Sequence, residues 1–176
     1  MADPVAVLTG GTGGLGKEVA VRLANRGFRL AISYLIPEEA NAVEELLGIP
    51  EDRLILKRVD CTNGVAVREF MDHTAAQFGG INVLACLVGG WSGGRDVEET
   101  DDVKFDRMID LNLRTSFNAA RAAIPHLRKS EWGRIVMVGS RSAIDPPSGQ
   151  AMYNIAKAGV IALAKTIAEE VSDAPI

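Results

Sequence analysis

Tyr153 and Lys157 stand four residues apart in a stretch, from about Gln150 to Glu170, that reads as the last helix of the chain, so both side chains fall on one helix face. A free tyrosine titrates at about pH 10, too high for acid–base work near neutrality. A neighbouring ammonium group favours the phenolate and brings that value towards the working range. Ser140 ends a predicted strand and can offer its hydroxyl to a substrate oxygen. Asn112, inside a long predicted helix, can tie the lysine to a chain of water. Taken singly, each has a plain structural use: Tyr-x-x-x-Lys is common on amphipathic helices, and a serine after a strand caps or turns the chain. Together, and downstream of a glycine-rich turn, they make an acid–base constellation.

That turn is Thr9-Gly10-Gly11-Thr12-Gly13-Gly14-Leu15-Gly16, set between a first strand and a first helix. Glycines let the backbone turn sharply and approach a ligand, and the helix start presents N–H groups to a pyrophosphate. The strand–helix context supports a dinucleotide cradle over a bland tight turn. The spacing itself is ambiguous, because Gly10/Gly14/Gly16 and Gly11/Gly13/Gly16 both fit a glycine template. The end of the second strand, Ser33-Tyr34-Leu35-Ile36-Pro37, carries no carboxylate to repel a 2′-phosphate and no basic residue to embrace one. This favours NADP(H), with NAD(H) left open; Lys17 is the basic residue nearest the turn. Asp60, ending the third strand, either caps the next helix or contacts the adenine.

The elements that must position these residues alternate from end to end. Apolar runs at Val5–Leu8, Arg29–Tyr34, Leu54–Val59, Ile81–Val88 and Arg134–Val138 read as buried parallel strands. Helices are predicted from Gly14 to Arg26, from Pro37 to Leu47, through Val67, Phe70, Met71 and Phe78, from about Val103 to Arg128, and over the Tyr153 segment. Five βα units imply a doubly wound α/β sheet, the Rossmann arrangement, in the order 3-2-1-4-5. Ligands of such sheets bind at the carboxyl edge, where loops 89–100 and 141–149 lie. Trp91, in the first of these loops, is either a substrate contact or an anchor for the loop. The small residues Ala156, Gly159, Ala162 and Ala164 suit close packing, on the sheet or on another subunit.

A length of 176 residues fits one domain. Charges of both signs are scattered and sum to −4, so there is no basic footprint for nucleic acid. No apolar run reaches the roughly 20 residues needed to span a bilayer, and Met1-Ala2-Asp3-Pro4 lacks a basic leader region. Cys61 and Cys86, both in apolar stretches, read as reduced thiols of a cytoplasmic protein. His73 and His126 lie on different helices without further ligands at coordination spacing, so no metal site is expected.

With these residues in view, the chain resembles the short-chain dehydrogenase/reductase family over essentially its whole length. The resemblance rests on Thr9-Gly10-x-x-x-Gly14-x-Gly16, on Asn112 in Asp110-Leu111-Asn112-Leu113, and on Ser140 thirteen residues before Tyr153-x-x-x-Lys157. It implies hydride transfer between NAD(P)H and a carbonyl or secondary alcohol. Tyr153 would be the proton donor or acceptor, with Ser140 orienting the substrate oxygen. Lys157 would hold the nicotinamide ribose and lower the tyrosine pKa, and Asn112 would complete a proton relay. Thr9, Gly10, Gly14, Leu15, Gly16, Asp60 and Gly89 would join Tyr153 and Lys157 around the cofactor. Two departures stand out. Cys86-Leu87-Val88-Gly89 replaces the family's Asn-Asn-Ala-Gly, and the chain ends at Ala174-Pro175-Ile176, where the resemblance predicts the start of a sixth strand and then a substrate lid. A C-terminally incomplete dinucleotide-binding module without turnover is therefore the competing expectation, as is a homo-oligomer built on an exposed fifth strand. An extended epimerase-like relative would fit the other glycine spacing but demands a separate substrate domain.

Overall fold

The computed structural model describes residues 3–176; Met1 and Ala2, part of the leader reading, lie outside them. Five parallel strands form one sheet, β1 (Val5–Thr9), β2 (Arg29–Tyr34), β3 (Leu54–Arg58), β4 (Val83–Cys86) and β5 (Arg134–Met137), in the order β3-β2-β1-β4-β5. This is the expected doubly wound sheet. Its core follows from the pleat. Val7 and Leu84 are register partners on one face, with Leu8 and Ala85 next to them on the other. The first face packs on Val67, Phe70 and Met71 of α3 (Gly64–Phe78), on the alanines of α5 (Thr115–Leu127), and on Ile167 of α6 (Ala151–Glu170). The second face packs on Ala20 and Ala24 of α1 (Gly14–Ala24) and Val43 of α2 (Pro37–Leu47).

Local signals set most helix ends. Pro37 opens α2 with Glu38 and Glu39 in its first turn, and Gly48 closes it in the left-handed conformation at φ 54°. Asn63 caps α3 by accepting from the N–H groups of Val65 and Ala66. The helix after β4 departs from expectation. In place of one regular helix from Val103 to Arg128, α4 (Asp102–Ile109) passes into a π-helical turn at Asp110–Arg114 and then into α5. Such turns widen a helix locally and often mark functional sites. Asn112 sits inside this one, fully buried.

The fourth strand is also shorter than the apolar run Ile81–Val88. Asn82, just before the strand, is tied to both neighbours: its side chain accepts from the Val5 N–H at 3.0 Å and donates to the Trp132 carbonyl at 3.2 Å, while its backbone N–H donates to the Val5 carbonyl at 2.9 Å and its carbonyl accepts from the Arg134 N–H at 2.8 Å. Beyond Cys86 the Leu87 N–H still reaches the Thr9 carbonyl at 3.0 Å, after which the chain leaves the sheet. Pairing on one side only leaves β5 an edge, although the Gly133 N–H donates to the Pro175 carbonyl at 2.6 Å. Among the described residues, no helix is long and apolar enough to cross a membrane.

Candidate active site

At the carboxyl edge of β1 the chain turns on Gly10, whose φ of +69° favours glycine. A Cβ at Gly10 would stand 2.9 Å from Cγ2 of Val88, so the turn and the loop after β4 are in close contact. The Gly10 N–H donates to the Ser33 hydroxyl at 3.3 Å, and Thr9 Oγ1 donates to the Ala85 carbonyl at 3.4 Å. A Cβ at Gly16 would collide with the Gly10 carbonyl and lie 2.6 Å from Cα of Gly11, whereas one at Gly14 meets nothing within 4 Å. Gly10, Gly11 and Gly16 are thus needed by the fold, while Gly14 opens onto free space at the start of α1. Gly13 brings no side-chain cap, and Gly14 and Leu15 are exposed, so the first N–H groups of α1 are free to meet an anion.

Beside the turn lies a cleft of about 280 Å³ bounded by Thr12, Tyr34, Leu35, Glu39, Asp60 and Gly89 among others. Its shape runs from the end of β2 to the loop after β4, and the free N–H groups and the open space over Gly14 fit a dinucleotide. Asp60 lines this cleft and also closes its own turn, accepting from the Thr62 N–H at 2.9 Å and hydroxyl at 2.7 Å. The cap of α3 that sequence allowed it belongs to Asn63 instead. Glu39 is the lining residue that sequence reasoning missed. Read as a helix-dipole partner, it also accepts the Thr12 hydroxyl at 2.9 Å. A larger hollow of about 760 Å³ opens at the opposite edge of the sheet, around Arg29, Asn82 and Trp132, with none of the candidate residues in its wall.

Further along the carboxyl edge, the buried Lys157 donates to the Val138 carbonyl at 2.8 Å, and its Nζ lies 5.9 Å from the centre of the Tyr153 ring. Gly89 sits between two polar groups: a Cβ there would be 2.9 Å from Oδ1 of Asn112 and 3.4 Å from Nζ of Lys157. The fold therefore gathers Gly89, Asn112, Tyr153 and Lys157. The amide of Asn112, the expected tie between the lysine and a chain of water, is engaged with the backbone. Its Oδ1 accepts from the Gly90 N–H at 3.2 Å, and its Nδ2 donates to the carbonyls of Gly90 at 3.0 Å and Met108 at 3.1 Å. It fastens the β4 loop to the π turn. Gly159 of α6 packs against Leu113 of the same turn, so the small-residue face is split: Ala156 is buried, but Ala162 and Ala164 are exposed.

Ser140 does the local work that sequence left open. Its Oγ lies 2.8 Å from the Ser142 hydroxyl and accepts from the Ser142 N–H at 3.2 Å, capping a short 3₁₀ turn. Ser142 is thus a second hydroxyl at this corner that sequence reasoning did not single out. Trp91 donates its indole N–H to Oε1 of Gln150 at 2.6 Å, anchoring the β4 loop to the start of α6 while the ring stays 65% exposed.

Burial lowers the pKa of Lys157 from its ordinary value of 10.5. Between that depressed value and 10.5 the folded chain binds fewer protons than the unfolded one, so wild-type stability rises with pH across this window. Lys157→Met removes the buried charge at nearly constant volume. The variant is expected to be more stable than wild type near neutral pH, by on the order of 1 kcal/mol, with the advantage shrinking as pH approaches 10.5. Urea melts of both proteins at a series of pH values check this; an advantage that grows with pH reverses the sign.

The chain is similar to known proteins along nearly its whole length. The family model described as "short chain dehydrogenase" matches residues 4–176. D-beta-hydroxybutyrate dehydrogenase of Rhizobium meliloti (strain 1021) is 31% identical over 176 aligned residues, covering 97% of this chain and 67% of its own length. The 3-oxoacyl-(acyl-carrier-protein) reductase FabG of Escherichia coli (strain K12) is 28% identical, with 96% of this chain and 67% of that protein covered. Among solved structures, a dehydrogenase/reductase from Sinorhizobium meliloti 1021 superposes with a TM-score of 0.90 at 31% identity, over all of this chain and 69% of that one.

Proposed function

The chain belongs to the short chain dehydrogenase family, and from that premise we propose that it is an oxidoreductase moving a hydride between a nicotinamide dinucleotide and a carbonyl or secondary alcohol. The observation that carries this reading is the cluster at the carboxyl edge: a buried Lys157 ammonium beside the ring of Tyr153, with Gly89 leaving room between them and Asn112. When bound, the dinucleotide supplies or takes up the hydride. Residues 1–176 act as one dinucleotide-binding domain, with Gly10, Gly14, Leu15 and Gly16 around the pyrophosphate, Thr9 holding β1 to β4 beneath them, and Asp60 and Gly89 along the cleft.

Tyr153 holds the proton at its phenolic oxygen and gives it to the substrate oxygen in reduction, or takes it back in oxidation. Lys157, with its Nζ 5.9 Å from the centre of the Tyr153 ring, holds the nicotinamide ribose and brings a positive charge to this part of the site. Ser140 and Ser142 form a hydroxyl pair from which a substrate oxygen can draw a hydrogen bond. Asn112 acts as a positioning residue, fixing the Gly90 backbone and hence the wall of the site. The substrate is a small molecule. Consumption of the reduced dinucleotide with a panel of ketones and β-keto thioesters, followed by absorbance, tests the reading; no turnover and no dinucleotide binding overturn it.

The 176-residue chain is also expected to associate with copies of itself. Val136 on β5 is 52% exposed, and Ile135 and Met137 line a groove of about 210 Å³ with Ile167, Val171 and Ile176. Beyond Arg134 at its start, the run Ile135-Val136-Met137 of this edge strand carries no charge and no proline, and such a run is a template for pairing with another chain. Light scattering across a dilution series should show oligomers that Val136→Lys shifts towards monomer. A wild-type chain that stays monodisperse and monomeric at every concentration rules the pairing out.

A further inference from the structure

The cleft beside the glycine turn is lined by two carboxylates, Glu39 and Asp60, and by no lysine or arginine. Lys17 of α1 and Arg58 at the end of β3, the cations nearest in sequence to the glycine turn and to Asp60, are not among its lining residues. Asp60 closes its own turn through Oδ1, which takes both bonds from Thr62, and its Oδ2 has no hydrogen-bond partner among the described residues. Glu39 is placed differently. It comes from the first turn of α2, and one of its oxygens, Oε2, is held by the hydroxyl of the buried Thr12 inside the glycine-rich turn itself. Its Oε1 has no hydrogen-bond partner among the described residues.

We infer that Glu39, delivered from α2 rather than from the end of β2, makes this chain select NAD(H) over NADP(H). The inference rests on the dinucleotide reading above. A ribose hydroxyl at this end of the cleft can donate to the carboxylate, the interaction by which an acidic residue near the second strand recognises NAD. A 2′-phosphate, carrying a charge of about −1.5 to −2 near neutrality, has no donor to offer when ionised and meets two negative groups without a cation. Residues 33–37 taken alone leave the 2′-position free of carboxylates, which is why the strand end by itself favours NADP(H). Helix α2 folds back over the turn and brings an acid there from two residues further on.

Glu39→Gln separates charge from structure, because the amide carbonyl still accepts from Thr12. Equilibrium titration of NADH and NADPH, read by quenching of intrinsic fluorescence, measures binding without requiring turnover. Wild type is expected to bind NADH at least about tenfold tighter than NADPH, and Glu39→Gln to narrow that ratio by about tenfold. Because the penalty on the phosphate is Coulombic, raising salt should narrow the wild-type ratio as well; this second measurement decides the matter if the variant fails to fold. Equal or tighter binding of NADPH by wild type, or a ratio unmoved by both Glu39→Gln and salt, overturns the assignment while leaving the dinucleotide reading intact. Binding of neither dinucleotide overturns that reading and this inference with it.

Discussion

Replacing Tyr153 with phenylalanine is expected to lower kcat on carbonyl substrates by about a hundred- to ten-thousandfold, the usual worth of a positioned acid–base group. The affinity for dinucleotide should stay within about twofold, because only the hydroxyl is lost. Phenylalanine keeps the half-buried ring in place and leaves Lys157 its bond to the Val138 carbonyl. Single-turnover kinetics with saturating dinucleotide isolate the chemical step, and an equilibrium titration reports binding. A phenylalanine variant with near-parental kcat would falsify the assignment of Tyr153 as the acid–base group. Loss of binding together with loss of turnover would instead give the hydroxyl a part in holding the dinucleotide.

The second large effect separates two glycines two residues apart. In Gly16→Ala the new methyl meets the backbone of Gly10 and Gly11, with Cα and C of Gly11 only 2.6 and 2.7 Å away. Backbone atoms cannot rotate aside, so the turn or α1 must shift. A loss of about 1–3 kcal/mol is expected from such overpacking, together with loss of dinucleotide binding. In Gly14→Ala the methyl enters open space at the first residue of α1. Alanine is the better helix former by up to about 1 kcal/mol, so stability should hold or rise. Dinucleotide affinity should nonetheless fall by about tenfold or more, or roughly 1.4 kcal/mol, since the methyl occupies the approach to the free N–H groups. Urea melts paired with NADH titration read both quantities for both variants. A Gly14→Ala chain that binds normally, or that is less stable than Gly16→Ala, contradicts this division of roles.

Much of this was legible along the chain because it is local. Five apolar runs separated by helical periodicity specify the parallel sheet, and right-handed connections leave few orders for it. Gly48 and Gly79 mark the ends of α2 and α3 through positive φ, and Pro37 marks a start. The four-residue spacing puts Tyr153 and Lys157 on one face whatever surrounds them. The ends of β4 were less legible, since the apolar run from Ile81 to Val88 continues past both ends of the strand, Val83 and Cys86.

The rest depended on contacts between residues far apart in sequence. Which glycines the fold itself needs emerges only when Val88 and Ile32 close over Gly10 and Gly11 while Gly14 stays open. Spacing alone does not reveal that the β4 loop presents both polar atoms of the Gly90 backbone to the Asn112 amide, across 22 residues. The π turn that aims it has no marker in Asp110–Arg114 itself. Glu39 reads as a partner for the dipole of α2 until Thr12, 27 residues earlier, bonds it and sets it in the cleft. Sequence by itself determined which elements form and which residues share a face, because backbone periodicity and special φ values act within a few residues. Only the tertiary structure decided which polar atoms are already partnered and which remain free for a ligand, because a hydrogen bond is sensitive to tenths of an ångström across elements that sequence spacing does not align.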